Sequence, residues 1–160
     1  MIETEVKIEI DRTRKFDEIY QALGRPEWQI QRNYLFSFDG NLLRIRHEAG
    51  KAFLTAKGQD LGTQFNSRPE IECEIPPEFF MGFSKIRGSN QQPRYYEKSR
   101  ASARFMNCVV CLDNFFGTYY LEVEGSEVDI PKVIKRFGLE DFPIEKRGYA
   151  QLLNEINTPA

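Results

Sequence analysis

The 160-residue chain carries 24 acidic and 22 basic side chains, so its formal net charge of −2 gives no basis for binding nucleic acid or an anionic membrane. Its apolar runs are too short to cross a bilayer, and the sequence opens with a charged strand instead of a signal peptide. We therefore expect one cytoplasmic domain that spans residues 1–160.

Alternation of apolar and polar residues predicts that most of the chain forms β-strands. In chain order, the predicted strands are residues 2–10, 28–38, 42–47, 52–57, 68–75, 95–105, 108–113 and 118–124. Apolar residues at helical spacing predict helices over residues 11–23, 78–86, 130–137 and 145–156. Asp39-Gly40-Asn41 is a strong hairpin signal, and residues 58–67 are predicted to form a mobile loop. About eight strands in an antiparallel meander favour a barrel, because closure removes exposed edges.

Charged residues recur on one face of these strands. Glu3, Glu5 and Lys7 share the polar face of the first strand, opposite Val6 and Ile8. The same spacing of charge returns at Arg44 and Arg46, at Glu70, Glu72 and Glu74, at Lys98 and Arg100, and at Glu122 and Glu124, with Lys57 as a single charge. If these faces converge, they line a cavity with carboxylates and cations together, which suits metal ions and a polyphosphate.

A solvated antiparallel sheet also alternates apolar and charged residues, so an ordinary β-barrel interaction domain remains an alternative. Three features favour an inward-facing set of charges. Like charges repeat at i and i+2, where their repulsion gives no stabilisation. Neutral polar residues do not dilute Arg44 and Arg46, and the acidic and basic pairs lie on different strands. We therefore interpret the set as ligands for a divalent cation and for phosphate oxygens.

The three cysteines, Cys73, Cys108 and Cys111, give a weaker signal. Cys108 and Cys111 have the spacing of a zinc ligand pair, but no second Cys or His pair accompanies them. We predict that all three are small, half-buried strand residues.

Six motifs, in order along the chain, resemble those of the CYTH superfamily, the triphosphate tunnel metalloenzymes. They are E-x-E-x-K at 3–7, R-x-R at 44–46, L-T-x-K-G at 54–58, R-x-E-x-E at 68–72, K-x-R at 98–100 and E-x-E at 122–124. Residues 148–153 are similar to the closing helix of that family. The resemblance implies an α+β fold: an eight-stranded antiparallel barrel, open at both ends, with helices packed outside. It also implies that a triphosphate binds along the tunnel axis together with Mg²⁺ or Mn²⁺.

The resemblance implies roles for individual residues as well. The metal-binding carboxylates would be Glu3, Glu5, Glu122 and Glu124, and a middle acidic pair that binds a second metal or orients water would be Glu70 and Glu72. The phosphate-binding set would be Lys7, Arg44, Arg46, Lys57, Lys98 and Arg100, with Lys146 or its neighbour Arg147 as a last cation.

Three positions beside these motifs carry separate expectations. Asp113 would hold a metal-bound water or position Arg100, and the alternative is a turn residue before Asn114. Glu74 is expected to be peripheral, and His47 to face outward. Direct participation in the reaction is expected of Lys7, Arg44, Arg46, Lys57, Arg100 and Asp113.

This inventory predicts metal-dependent processing of a triphosphate such as tripolyphosphate, thiamine triphosphate or ATP. Attack by water on the terminal phosphate is favoured, as in the family's triphosphatases. One alternative is the class IV adenylyl cyclase reaction, in which ATP gives cyclic AMP and pyrophosphate. A second alternative is a polyphosphate- or nucleotide-binding module without turnover. A homodimer through an outer sheet face is compatible with this fold, but no residue pattern tests it.

Overall fold

The structure is a computed structural model that describes residues 1–10, 14–38, 41–79 and 94–156. Its strands are β1 (Ile2–Ile10), β2 (Gln29–Phe38), β3 (Asn41–Glu48), β4 (Lys51–Lys57), β5 (Asn66–Ile75), β6 (Arg94–Phe105), β7 (Cys108–Phe115) and β8 (Thr118–Glu124). Its helices are α1 (Arg14–Ala22), α2 (Ile130–Arg136) and α3 (Tyr149–Ile156). The turn at 39–40, residues 11–13 of the first predicted helix and nearly all of the helix predicted over 78–86 lie outside the described residues.

The strands close into an antiparallel barrel in the order β1-β5-β4-β3-β2-β6-β7-β8, and β8 pairs back to β1. The predicted barrel and the α+β class are therefore confirmed. β1 lies between two strands that are distant in sequence, with Glu3 opposite Arg68 of β5 and Glu5 opposite Glu124 of β8.

Two-residue loops connect three of the hairpins. They are Ala49-Gly50, Met106-Asn107 and Phe116-Gly117, and all six residues have φ between 48° and 90°. Type I′ turns require positive φ at both loop residues, and their twist matches the twist of the strands they join. Gly50 and Gly117 adopt this conformation without a Cβ penalty.

The larger hydrophobic core lies outside the barrel, between its wall and the helices. Val6 and Ile8 of β1 and Leu121 of β8 are almost fully buried there, against Ile19 of α1 and Val133 of α2. Because side chains alternate across a strand, the β1 residues between these apolar positions point into the barrel. The barrel therefore has a polar interior and, on this side, an apolar outer wall.

A second hydrophobic cluster holds α3 against inward-facing side chains of the barrel. Tyr149, Leu152 and Leu153 pack there with Leu35 and Tyr96. The predicted helix over residues 145–156 began too early, because the preceding segment binds to β1. Ile144 forms an isolated bridge with Ile8, and the Glu145 N–H donates to the Lys7 carbonyl at 2.8 Å.

Two smaller predictions also need correction. The loop predicted over residues 58–67 ends sooner, because β5 begins at Asn66. The cysteines are free thiols, of which Cys108 and Cys111 are buried and Cys73 is exposed, so none is half-buried as predicted. Cys108 and Cys111 are three residues apart in one strand and therefore face opposite sides of it. Among the residues described, no helix combines the length and the apolar character that crossing a bilayer requires.

Candidate active site

The barrel interior contains a cavity of about 290 Å³ whose lining is dominated by charge. The basic lining residues are Lys7, Arg44, Arg46, Lys57, Arg68, Lys98 and Arg100. The acidic lining residues are Glu3, Glu5, Glu48, Glu70, Glu72, Glu122 and Glu124. These charged side chains face the barrel interior, which contradicts the alternative of a sheet whose charges face solvent. Desolvation penalises charges inside a protein unless a ligand or a partner compensates them.

Strand register explains how residues from distant parts of the sequence meet. Arg44, Thr55 and Glu72 are successive register partners across β3, β4 and β5, so their side chains form one row on the inner wall. Lys7 is the register partner of Glu122 across β1 and β8. Each such register pair places two inward-facing residues side by side on neighbouring strands. Where their charges are opposite, the two side chains can form an ion pair.

One group of lining residues, which we call the basic cluster, consists of Lys7, Lys98 and Arg100 with the carboxylates of Asp113 and Glu122. Lys98 Nζ lies 2.6 Å from Asp113 Oδ2, and Arg100 Nε donates to Asp113 Oδ1 at 2.7 Å. Glu122 contacts Arg100 and lies 3.4 Å from Lys7 Nζ and 3.9 Å from Lys98 Nζ. Asp113 is fully buried and does not itself line the cavity, so it pairs with these cations away from the space that a ligand would enter.

Electrostatics keep both carboxylates of the basic cluster ionised. Burial alone would raise the pKa of Glu122, but Lys98, Arg100 and Lys7 hold it well below its ordinary value. Burial is likewise outweighed at Asp113 by Arg100 and Lys98, which lower its pKa. Burial and the nearby Arg100 lower the pKa of Lys98 to about 8.

A second group, the acidic cluster, consists of Glu3, Glu5, Glu70 and Glu124, with Lys57 beside it. Burial, reinforced by contact with Glu70, raises the pKa of Glu3 to about 8. Burial and repulsion from Glu5 and Glu70 also raise the pKa of Glu124. Glu70 remains ionised, because its bond to Glu3 and its ion pair with Lys57 outweigh burial and lower its pKa. The cluster therefore retains a proton near neutral pH.

The arginines of β3 form a third group with Glu72 and Glu48. Arg44 Nη2 lies 3.1 Å and Arg46 Nη2 3.0 Å from Glu72, which also accepts from Thr55 Oγ1 at 2.6 Å. Arg46 Nε lies 3.4 Å from Glu48. Within the described residues, the buried Nε of Arg44 has no hydrogen-bond partner, and Arg46 Nε forms only its ion pair with Glu48. The Arg44 guanidinium therefore retains a donor that no described residue uses.

The acidic cluster offers carboxylate oxygens, which are suitable ligands for a hard divalent cation. Mg²⁺ and Mn²⁺ prefer carboxylate oxygens, and a cation would relieve the repulsion that adds to burial in raising the pKa of Glu3 and Glu124. In the part of the chain described, no three His, Cys, Asp or Glu side chains are already arranged around a metal position. Binding would therefore require side-chain rotations within the cluster.

The structure brings most of the predicted site residues together, and it places two elsewhere. Lys146 is exposed, and its Nζ donates to the Thr63 carbonyl at 3.4 Å, outside the cavity. Arg147 binds Glu145 and Glu155 at the surface. Neither residue lines the cavity, where the sequence predicted a last cation.

The two positions expected to lie outside the site were predicted correctly. His47 packs edge-on against Tyr34, with ring centroids 6.0 Å apart, and does not line the cavity. Glu74 pairs with Lys51 at 3.0 Å, and both side chains are more than half exposed.

Among the charged and aromatic lining residues, sequence reasoning missed four, Glu48, Arg68, Tyr96 and Tyr149. Glu48 and Arg68 continue the two-residue spacing of Arg44-x-Arg46 and Glu70-x-Glu72, so strict use of that spacing would have found them. Tyr96 likewise lies two residues before Lys98-x-Arg100, whereas no local pattern distinguishes Tyr149 from an ordinary core aromatic residue.

The fold and the site together define a closed β-barrel protein with a charged interior. The CYTH domain family matches residues 1–149, and the chain belongs to this family. No curated protein matches the chain at a significant level.

Several solved structures have the same fold. A conserved hypothetical protein from Pyrococcus furiosus is 22% identical with a TM-score of 0.76, over 94% of this chain and 99% of that one. The PH1012 protein from Pyrococcus horikoshii OT3 is 23% identical with a TM-score of 0.73, over 94% and 98% of the two chains. HpAC1 from Hippeastrum, an adenylyl cyclase candidate with a dominant triphosphatase activity, is 20% identical with a TM-score of 0.67, over 96% of each chain. At these identities the likeness concerns the fold alone.

Proposed function

We propose that this protein hydrolyses the terminal phosphate of a triphosphate bound inside the barrel, with Mg²⁺ or Mn²⁺ as cofactor. The observation that carries the proposal is the division of one cavity into an acidic cluster and a set of paired cations. A triphosphate with its cation needs both kinds of charge within a few ångströms.

The cations would bind the phosphate oxygens by exchanging partners. In the structure, Glu72 forms ion pairs with Arg44 and Arg46, and Glu122 forms ion pairs with Lys7 and Arg100. A triphosphate offers the same cations several oxygens of higher charge. The triphosphate would be held in an extended position by Arg44, Arg46, Lys57 and Lys98, which contribute positioning and charge neutralisation. Asp113 would fix Arg100 in place through its two hydrogen bonds.

The acidic cluster would hold the divalent cation. When bound, such a cation neutralises charge on the phosphate oxygens and lowers the pKa of a coordinated water. Glu3, Glu5, Glu70 and Glu124 are the ligands that we propose, because their mutual repulsion is the feature a cation would relieve. Glu72 and Glu122 are paired with Arg44, Arg46, Lys7 and Arg100. These two carboxylates would become metal ligands only after the triphosphate has taken their place beside the cations.

Water is the nucleophile that best fits the described lining. Cys111 is the thiol that faces the cavity, and burial raises its pKa to about 11, so it stays protonated and unreactive. A direct transfer of the phosphoryl group to water therefore requires no covalent intermediate on this chain.

The adenylyl cyclase reaction is the second candidate. Leu35, Leu42 and Tyr96 form an apolar part of the lining that could contact an adenine ring. HpAC1, which shares the fold, is an adenylyl cyclase candidate with a dominant triphosphatase activity, and this supports placing hydrolysis first. The proposal includes a cytoplasmic location, since the cysteines are free thiols, and it involves no nucleic acid or membrane partner.

One set of incubations separates these functions. The protein is mixed with tripolyphosphate, thiamine triphosphate or ATP, each with Mg²⁺ and with Mn²⁺. Orthophosphate as product supports hydrolysis, whereas cyclic AMP with pyrophosphate identifies a cyclase. Tight binding without product indicates a binding module, and the absence of both binding and product contradicts the proposal.

A further inference from the structure

Tyr149, the first residue of α3, lies among the cations of the basic cluster although it belongs to a helix and not to a barrel strand. Its side chain is buried and lines the cavity. Lys7 Nζ and Lys98 Nζ each lie 4.1 Å from the centroid of its ring. Cations over an aromatic face are attracted by the quadrupole of the ring, most strongly where water is excluded.

Further contacts hold the ring itself in place. Tyr149 Oη donates to Asp113 Oδ2 at 2.6 Å, the same oxygen that Lys98 contacts. The ring centroids of Phe115, Tyr120 and Tyr96 lie 4.9, 5.8 and 5.9 Å away. Burial and the nearby carboxylates raise the pKa of Tyr149 well above its ordinary value, so the hydroxyl remains a donor.

The backbone just before Tyr149 also binds one of these lysines. Lys7 Nζ donates to the Arg147 carbonyl at 2.9 Å, and the Lys7 carbonyl accepts from the Glu145 N–H at 2.8 Å. The segment leading into α3 and the ring at its start thus approach Lys7 together.

An aromatic ring differs from a carboxylate in one respect that matters for an anionic ligand. A carboxylate such as Glu122 positions an ammonium group but also neutralises it, so a phosphate must first displace the carboxylate. The ring carries no net charge, so it can restrict the position of the ammonium group and leave its charge available.

We propose that Tyr149 is a positioning residue that holds Lys7 and Lys98 at the tunnel wall, ready for a polyanion. The geometric half of this inference is independent of the proposed function. The half that concerns affinity rests on it, because the ligand is the triphosphate proposed above.

The geometry is tested by NMR on metal-free protein in which the lysines are ¹³C-labelled. Protons over the face of an aromatic ring are shifted upfield, so the wild-type spectrum should contain two upfield-shifted lysine ε-methylene signals. These are assigned by substituting each lysine with arginine in turn. Both shifted signals should persist in Tyr149→Phe and disappear in Tyr149→Leu. A wild-type spectrum without them, or their survival in Tyr149→Leu, overturns the inference.

The effect on affinity is tested with tripolyphosphate by calorimetry and by steady-state kinetics. Tyr149→Leu should raise the dissociation constant and KM about tenfold, with a smaller change in kcat, since one desolvated cation–π contact is worth that order. Tyr149→Phe retains the ring and should recover most of the affinity. Tyr149→Met, another ring-free variant, replaces Tyr149→Leu if the latter does not fold.

The matched control is Tyr120→Leu, which removes a ring from the same hydrophobic cluster but has no described contact with a lysine. It should lower stability by an amount similar to Tyr149→Leu and change affinity less than about threefold. Equal loss of affinity in the two variants means that Tyr149 acts through packing alone, and the inference fails. If wild-type protein neither binds nor cleaves tripolyphosphate, the proposed function fails, and the lysine signals still decide the geometry.

Discussion

Glu122 and Glu124 lie two residues apart on the same strand and face the same cavity, yet their pKa values are shifted in opposite directions. Burial raises the pKa of both carboxyl groups. At Glu122 the surrounding Lys98, Arg100 and Lys7 overcome burial and hold the pKa well below its ordinary value. At Glu124 the nearest charges include Glu5 and Glu70, so repulsion adds to burial and the pKa rises. Neighbouring charge, and not depth of burial, therefore decides the behaviour of each carboxylate.

This difference divides the barrel interior into two halves with different ligand preferences. In the basic cluster the carboxylates act as internal counterions that an anionic ligand can replace. In the acidic cluster the carboxylates repel one another, and a bound cation would reduce that repulsion. A polyphosphate with a divalent cation would satisfy both halves at once, and either partner alone would leave one half uncompensated.

The largest effect is expected from removing the buried counterion of the basic half. Asp113→Asn should lower the free energy of unfolding by about 3–5 kcal/mol, because it leaves the buried Lys98 and Arg100 poorly compensated. Urea unfolding monitored by circular dichroism measures this loss. Asp129→Asn is the control, since Asp129 pairs with Lys132 at the surface and should matter far less. Similar losses in both variants would mean that Asp113 is not a buried counterion.

The next largest effect concerns the acidic half. Glu5→Gln or Glu124→Gln should lower turnover of tripolyphosphate with Mg²⁺ by about a hundredfold or more, since charge stabilisation by a bound cation is worth several kcal/mol. Each change also relieves repulsion, so the metal-free melting temperature should stay constant or rise. Glu74→Gln, outside the cavity, is the control. Wild-type turnover and an unchanged Mg²⁺ dependence in both variants would exclude these residues from the site.

A smaller effect is expected at single cations that share one ligand. Arg46→Ala and Lys57→Ala should each weaken tripolyphosphate binding by about 1.5–3 kcal/mol, the usual worth of a hydrogen bond to a charged group. His47→Ala should change binding little, because His47 faces outward beside Arg46. Isothermal calorimetry, supported by the ligand-induced rise in melting temperature, measures the difference. Equal affinities in wild type, Arg46→Ala and Lys57→Ala would contradict a shared polyanion site.

The smallest effect is a pH dependence at Glu3, whose pKa rises from 4.5 to about 8 on folding. The folded state therefore binds a proton more tightly than the unfolded state. The stability that this proton contributes is fully present below pH 4.5 and is lost as the pH rises through about 8. Metal-free wild type should thus lose stability relative to Glu3→Gln across this window.

Melting temperatures of both proteins at several pH values test this expectation. The difference between them is the useful quantity, because Lys98, with its pKa lowered to about 8, titrates in the same window in both. Mg²⁺ should reduce the difference, since a bound cation favours the ionised carboxylate. Parallel curves without metal would show that Glu3 titrates normally.

The sequence was sufficient to predict the barrel and most of its charged lining, because two-residue periodicity is a local property. Glu3, Arg44 and Lys98 could be assigned to an inner face from their own strands alone. The division into two halves could not be predicted. It depends on the stagger between strands, which places Glu122 among cations and Glu124 among carboxylates although both belong to one motif.

Side chains outside the strands were the least predictable. Lys146 was expected in the cavity, but the segment before α3 binds β1 through its backbone and directs that side chain outward. Tyr149 enters the cavity through the same arrangement. Such placements follow from long-range packing, for which a single sequence carries no periodic signal.

The position of β1 in the barrel has a consequence for synthesis of the chain. Each of the other strands pairs with at least one strand adjacent in sequence, whereas β1 pairs with β5 and β8. Of the eight barrel strands, β1 is made first and is enclosed last, since closure requires residues up to Glu124. Until β8 has been made, at least one edge of β1 is open to pairing with other chains, a risk that charged side chains on a strand reduce. Glu3, Glu5 and Lys7 would thus protect the growing chain from aggregation before they ever contact a ligand.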